Sequence, residues 1–157
     1  MKATQLLRTD HAKIRKLFSE FDRTTERAPR TRQRLVERIA SELEVHSQIE
    51  EEIFYPAVDE VDALMGLVQE SRREHQRVKV LVSEVRKMEP DSPRLQEAIA
   101  ALRDAVVHHA IDEEEKRMLP EAEKALGADA LERLGRELSA RKAALLRQPG
   151  KRLRAAA

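Results

Sequence analysis

Apolar residues recur at three- and four-residue intervals through most of the chain, which is the pattern of helices that bury one face. The pattern predicts five helices, near residues 3–24, 31–55, 62–88, 94–119 and 128–147. Helix breakers separate these segments: Pro29, Pro56, Pro90, Pro93, Pro120, Gly127 and Pro149-Gly150. Ala, Leu, Glu, Arg and Lys dominate the 157 residues, and aromatic residues make up only 3%. Pattern and composition together predict an all-α protein.

The chain also contains an internal repeat with an offset of 63 or 64 residues. The segment from Asp10 to Phe18 matches the segment from Glu74 to Val82. A second series, Leu35, Ile39, Leu43, His46 and Glu50, matches Ala98, Leu102, Val106, His109 and Glu113. Two similar hairpins predict an up-down-up-down antiparallel four-helix bundle over residues 1–126. Residues 127–157 are then a C-terminal helix and a basic tail that pack on the bundle or trail from it.

Four of the five histidines occupy equivalent positions in this repeat: His11, His46, His75 and His109. Each lies on the apolar face of its helix; Ile14 and Phe18, for example, follow His11 by three and seven residues. The midpoint of the first pair falls at residues 28 and 29, and that of the second pair at residue 92, both in predicted turns. We therefore expect the four imidazoles to meet in one layer of the core.

Two glutamates, Glu50 and Glu113, follow His46 and His109 by four residues, which is about one helical turn. A buried carboxylate is costly unless it is paired or binds a metal. A single inward histidine is usually a hydrogen-bonded core residue, but the duplicated arrangement favours a metal site. Imidazole with carboxylate donors suits iron or manganese. The predicted ligands are His11, His46, Glu50, His75, His109 and Glu113, which leave open positions on two metals.

The fifth histidine, His108, is out of register with the repeat, because Ala101 and Ala105 precede it on its face. It is interpreted as a partner that supports the site, as an extra ligand or, more simply, as a residue of a helix interface. A ferritin-like di-iron site requires Glu-x-x-His on the bundle helices. No histidine in this sequence has a glutamate three residues before it, so that alternative is set aside.

Charge and composition exclude several classes of function. The net charge is +1, which gives no bulk field for nucleic acid or an anionic membrane. Without cysteine, thiolate metal sites and thiol catalysis are excluded. The N-terminus has no signal-peptide core, and no apolar run approaches the length of a membrane span. These features predict a cytoplasmic protein without nucleic-acid or membrane partners. The short basic tail Lys151–Arg154 either touches an acidic partner or is a solvated terminus.

Four motifs carry a family resemblance: Asp10-His11-x-x-Ile14, His46-x-x-x-Glu50-Glu51 before Tyr55-Pro56, Glu74-His75-x-x-Val78-Lys79, and His108-His109-x-x-x-Glu113-Glu114 before Leu119-Pro120. Together they resemble the hemerythrin-like family, in its HHE cation-binding branch, over about residues 3–120. The resemblance implies a non-haem di-iron centre, with an oxo or hydroxo bridge and two glutamates that span both metals. Manganese is the alternative metal.

One position departs from the oxygen-carrying members, which have a further histidine one turn after the third-helix histidine. Here that position is Lys79. The departure favours oxygen or peroxide reduction, sensing or iron handling over reversible oxygen transport, unless His108 or another group fills the position. Two hypotheses follow: an oxygen- or iron-responsive di-iron binding protein, or a di-iron enzyme that consumes peroxide, oxygen or nitric oxide. In both, the partner is dioxygen or another small diatomic or peroxide ligand.

Overall fold

The computed structural model describes residues 1–148, so the basic tail Lys151–Arg154 lies outside the described residues. All regular structure in this part of the chain is helical, which confirms the all-α prediction. Two π-helical segments, Glu50–Phe54 and His108–Met118, and one 3₁₀ turn, Asp62–Leu64, accompany the α-helices. The α-helices are α1 (Ala3–Asp22), α2 (Pro29–Ile49), α3 (Tyr55–Val58), α4 (Met65–Lys87), α5 (Leu95–Val107) and α6 (Leu119–Leu146).

The long helices α1, α2, α4 and α5 enclose the core, each packing against two of the others. Helices α1 and α2 run antiparallel. Near their connection the Arg32 Nε atom donates to the Thr24 hydroxyl at 3.0 Å, and further along Lys13 pairs with Glu42 at 2.6 Å. Pro29 begins α2, at a helical position where no intrahelical amide bond is lost. The helical bundle expected from the sequence is thus present.

Each of the two π-helical segments ends one residue short of a proline: Tyr55 separates the first from Pro56, and Leu119 separates the second from Pro120. Pro56 and Pro120 cannot donate an amide hydrogen to the helix, and their rings clash with the carbonyl four residues earlier. The residue before each proline instead donates to the carbonyl five residues back. Tyr55 bonds to Glu50, and Leu119 bonds to Glu114. The prolines thus provide a local reason for widening the helices here.

Two apolar clusters fill the interior, and both contain residues that are entirely buried. The first cluster lies beside the α1–α2 connection and includes Phe18, Phe21, Ile39, Ile99 and Leu102. The second cluster lies towards the prolines and α6 and includes Leu7, Ile49, Phe54, Leu64 and Leu138. In α1 and α4 a buried histidine lies between residues of the two clusters: His11 follows Leu7 and precedes Ile14, and His75 follows Val68 and precedes Val78. The apolar clusters therefore enclose a polar layer, which is the candidate site.

Helix α6 is interrupted at Gly127, where φ is +78°, a conformation that favours glycine. The part after Gly127 packs against α1 and α2 and buries Leu131, Leu138 and Leu145. Gly135 lies against the N-terminal backbone so closely that a Cβ atom would overlap the Met1 carbonyl oxygen. Among residues 1–148, no helix has the length and apolar character needed to cross a membrane.

Candidate metal centre

Four imidazoles meet in the polar layer, and each of these residues is at most 5% exposed. The Nε2 atoms of His11 and His46 are 3.1 Å apart, and those of His75 and His109 are 2.9 Å apart. One pair comes from α1 and α2. The other comes from α4 and the start of the second π-helical segment. The structure thus brings together the four histidines that the repeat selects.

Each imidazole is oriented by a carboxylate on its outer nitrogen. In every case the Nδ1 atom lies within hydrogen-bond distance of the carboxylate, so Nδ1–H donates outward and Nε2 points inward. None of these four carboxylates was among the predicted metal ligands, although Glu51 and Glu115 were expected either to be solvated or to support the ligands. The pairs are His11 with Glu115 at 2.8 Å, His46 with Asp10 at 3.3 Å, His75 with Glu51 at 3.1 Å, and His109 with Glu74 at 2.8 Å.

Two fully buried glutamates connect the two histidine pairs. Glu50 places Oε1 at 3.0 Å from His46 Nε2 and Oε2 at 3.1 Å from His75 Nε2. Glu114 places Oε2 at 3.1 Å from His11 Nε2 and Oε1 at 3.2 Å from His109 Nε2. Each carboxylate thus contributes one oxygen to each pair. Two groups of four donors result: His11, His46, Glu50, Glu114 and His75, His109, Glu50, Glu114.

The donor atoms fit metal ions by chemistry and by spacing. Two donors about 2.1 Å from one ion, at right angles to each other, lie about 3.0 Å apart. The four contacts between imidazole and carboxylate span 3.0 to 3.2 Å. The buried atoms Glu50 Oε1 and Glu114 Oε2 accept no hydrogen bond from any described residue. A buried carboxylate oxygen that accepts no hydrogen bond destabilises the fold unless a cation binds it.

The carboxylates also draw positive charge into the layer. Burial alone lowers the pKa of His46, but Glu50 and Asp10 outweigh it and raise that pKa to about 10. His109 behaves in the same way, because Glu114 and Glu74 outweigh burial and hold its pKa well above the ordinary value. Burial raises the pKa of Glu114, but His109 and His11 reverse this and place it well below its usual range. Protons and metal ions therefore compete for these positions.

The structure corrects one predicted ligand. Glu113, expected to face the core one α-helical turn after His109, instead pairs at the surface with Arg117, their atoms 3.0 Å apart. Glu114 takes the inward position. The physical reason is the π-helical segment, in which residues five apart, rather than four, return to the same face.

A signal for this shift is present in the sequence. His11 and His75 differ by 64 positions, and so do the two prolines at the ends of the π-helical segments, whereas His46 and His109 differ by 63. The stretch from His109 to Pro120 is therefore one residue longer than the stretch from His46 to Pro56. A π-helical turn accommodates such an insertion without breaking the helix. An alignment on the prolines pairs Glu50 with Glu114.

Tyr55 is a further member of the layer that sequence reasoning did not assign to the site. Its hydroxyl donates to Glu114 Oε1 at 2.6 Å, and it lies 3.0 Å from His75 Nε2 and 3.4 Å from His109 Nε2. Burial, reinforced by Glu114 and Glu50, raises the pKa of Tyr55 well above its ordinary value. The hydroxyl therefore stays protonated. Of the two histidine pairs, it contacts only His75 and His109.

The remaining two predicted positions lie outside the layer. The His108 side chain is 56% exposed, and its Nε2 atom lies 3.2 Å from Glu74. The Lys79 side chain is half exposed, and its ammonium lies 3.4 Å from Glu51. Neither reaches the core donors, so the extra group beside His75 and His109 is the Tyr55 hydroxyl rather than a fifth histidine.

A small cavity of about 20 Å³ adjoins the layer. This volume is enough for about one water-sized molecule. The four imidazoles contribute to its wall, and the first apolar cluster supplies half of the remaining lining residues. Its apolar lining includes Ile14, Leu43, Val78 and Val106. The site can thus admit a small ligand into largely apolar surroundings.

Helix α6 completes one edge of the site. The Lys142 ammonium contacts Asp10, the carboxylate that orients His46. Beside it, Arg141 pairs with Glu52 at 2.6 Å. The C-terminal part of α6 therefore supports a histidine through Asp10, as well as covering apolar surface.

Comparisons with known proteins find related sequences and a similar fold. The family model for the hemerythrin HHE cation-binding domain matches residues 2–122. The crystal structure of a hemerythrin HHE cation-binding domain-containing protein from Mycobacterium kansasii superposes with a TM-score of 0.83 at 25% identity. That match covers 99% of this chain and 96% of the other. A DNA nickase from Nostoc sp. is 26% identical over 150 residues, which are 96% of this chain but only 42% of that protein.

Proposed function

Because the chain belongs to the hemerythrin HHE cation-binding domain family, we propose that it binds two iron ions, one in each four-donor group. The observation that carries this proposal is the position of the two buried glutamates. Glu50 and Glu114 each present one oxygen to a histidine of either pair. Carboxylates in this arrangement are suited to bridging two ions.

A donor set of imidazoles and carboxylates suits iron better than structural zinc, which usually has four protein ligands and no open position. Manganese is the alternative metal. Charge balance supports two ions. With neutral imidazoles, the layer holds six carboxylates: Glu50, Glu114, Asp10, Glu51, Glu74 and Glu115. Lys142 and Lys79 contact two of them. Two divalent cations would neutralise the remaining four charges.

The proposed activity is binding or sensing of oxygen, or iron handling. When bound, an iron pair supplies redox and Lewis-acid chemistry to small oxygen species. The chain's own residues orient the donors, limit water and admit a small ligand. The outer carboxylates fix the imidazole tautomers, and the cavity beside the four histidines is small and mostly apolar. These features support a small diatomic or peroxide ligand over a larger substrate.

A second candidate is an enzyme that consumes peroxide, oxygen or nitric oxide. Tyr55 favours it, because its hydroxyl holds a proton within the donor layer, in contact with Glu114. The hydroxyl lies beside His75 Nε2 and His109 Nε2, where it could donate a hydrogen bond to a ligand held at that donor group. The nicking activity named for the Nostoc protein belongs to a chain more than twice as long, and we do not transfer it to this one. Cytoplasmic location stays a prediction.

The proposal is tested by reconstituting the full chain with ferrous iron under anaerobic conditions and recording the visible spectrum as oxygen is added. We expect new ferric absorption bands. Bands that reverse when oxygen is removed support oxygen binding, whereas irreversible oxidation supports sensing, iron handling or the enzyme. An iron-loaded protein whose spectrum does not respond to oxygen would contradict the proposal, as would a chain that retains no iron.

A further inference from the structure

A second His–carboxylate cluster lies on the surface beside the metal centre. It consists of His108, Glu74 and Glu113, whose donor atoms all lie within 4.8 Å of one another. His108 Nε2 is 3.2 Å from a Glu74 oxygen and 3.9 Å from a Glu113 oxygen. A surface groove of about 420 Å³ opens over these three side chains. The cluster is therefore open to solvent.

The π-helical segment explains why this cluster exists. His109 and Glu114 are five residues apart and share the inward face. The preceding residues, His108 and Glu113, have the same spacing and share the neighbouring, outward face. Glu74 lies between the two pairs. One of its oxygens accepts a hydrogen bond from His109 Nδ1 at 2.8 Å, and the other lies beside His108.

In the first half of the repeat, the carboxylate equivalent to Glu74 contacts a cation. Asp10 is the equivalent of Glu74, 64 residues earlier, and it likewise orients a core histidine, His46. The second oxygen of Asp10 contacts the ammonium of Lys142, supplied by α6. A cation thus already occupies the corresponding position in the first half. In the second half the corresponding oxygen faces His108 and the open groove.

Four carboxylates lie around His108, those of Glu74, Glu113, Glu70 and Asp112, and three of them pair with a cation. Arg117 contacts Glu113 and is the cationic group that lines the groove, while Glu70 lines it with a further carboxylate that pairs with Arg73. Asp112 lies 3.6 Å from His108 and pairs with Lys116. One imidazole with two carboxylates suits Mn²⁺, Fe²⁺ or Zn²⁺ better than Mg²⁺ or Ca²⁺, which prefer all-oxygen ligands.

We propose that His108, Glu74 and Glu113 bind one divalent transition-metal cation at the surface and pass it to the core through Glu74. The binding site stands independently of the function proposed above, whereas its loading role rests on that function. Glu74 carries this connection, because it touches an outer histidine and an inner one with its two oxygens. The surface cation would then be held one carboxylate away from the core donors.

Mn²⁺ titration of the full chain, followed by the loss of the free-ion EPR signal, tests the binding site. The variant is His108→Ala/Glu113→Gln, which removes two surface donors and leaves Glu74 in place. The matched control is Glu121→Gln, an exposed carboxylate paired with Lys124. We expect wild type and control to bind about one more Mn²⁺ per chain than the double variant, in millimolar Mg²⁺. Equal binding by all three proteins would overturn the site.

Stopped-flow uptake of Fe²⁺ by the metal-depleted chain tests the loading role. We expect the double variant to load at least about tenfold more slowly than wild type and to reach the same final core content. Equal rates would overturn the loading role. If the wild-type core takes up no iron while the Mn²⁺ difference persists, the function proposed above fails and the surface site stands.

Discussion

Glu114 lies one π-helical turn beyond His109, and its Oε1 atom is 3.2 Å from the Nε2 atom of that histidine. This relationship closes the donor layer, because the other oxygen of Glu114 reaches His11 on α1. A regular α-helix would place Glu113 at this face instead. The widened turn before Pro120 therefore decides which carboxylate serves the core.

Replacing Glu114 with glutamine should abolish stable iron binding. The substitution preserves shape but removes the charge that both histidine pairs face. Loss of an outer partner alone costs about 10–100-fold in metal affinity, so loss of this donor should cost at least about 100-fold. Iron per chain after gel filtration is the measurement. Glu113→Gln is the matched neighbour, and it should keep the iron of the core; equal losses in the two variants would contradict the assignment.

Replacing Tyr55 with phenylalanine should alter one iron position and spare the other. The hydroxyl lies beside His75 and His109, whereas the residue at the equivalent repeat position is the apolar Leu119. Mössbauer spectra of the ⁵⁷Fe-loaded protein should therefore show two inequivalent sites of equal area. In Tyr55→Phe one component should shift and the other stay. Identical spectra for wild type and variant would show that the hydroxyl does not act on the metals.

Gly135→Ala should destabilise the fold by about 1–3 kcal/mol, because the new methyl group overlaps the N-terminal backbone at Met1. Gly66→Ala is the matched control, since no heavy atom lies within 4 Å of a Cβ at that position. In helix α4 that change should be neutral or stabilise by up to about 1 kcal/mol. Urea unfolding measures both. Similar midpoints for the two variants would contradict the close packing of α6 on the N-terminus.

The metal-depleted chain should lose stability as pH rises from 6 to 9. Glu50 and Asp10 outweigh burial and raise the pKa of His46 to about 10 in the folded state, above its ordinary value of 6.5. Its contribution to stability is therefore fully present below pH 6.5 and is lost as pH rises towards 10. Glu114 has a lowered pKa in the folded state, so its contribution to stability is fully present above pH 4.5. That contribution stays constant between pH 6 and 9 and does not oppose the trend.

Urea midpoints at several pH values, with and without bound iron, measure this effect. The iron-loaded protein is the control and should show the opposite trend, because bound metal replaces the protons and its affinity increases with pH. A midpoint of the metal-depleted chain that is constant or increases between pH 6 and 9 would contradict the pKa assignment for His46.

Much of this architecture could be predicted from the sequence. The spacing of apolar residues gave the helices, and the repeat gave the four histidines, because side-chain direction follows directly from helical periodicity. The prediction of Glu113 as a ligand was wrong because it assumed about 3.6 residues per helical turn throughout. The π-helical segment has a wider turn, which changes the residue that faces the core. Tyr55 and the outer carboxylates depend on tertiary packing between helices far apart in sequence, which a single-helix pattern does not contain.

The central claim is tested most directly by the iron content of the wild-type chain after anaerobic reconstitution and a wash with a weak chelator that strips exposed sites. The geometry of two four-donor groups sharing Glu50 and Glu114 predicts about two irons per chain. A chain that retains one iron or none under these conditions would contradict the account of the layer as a two-metal centre.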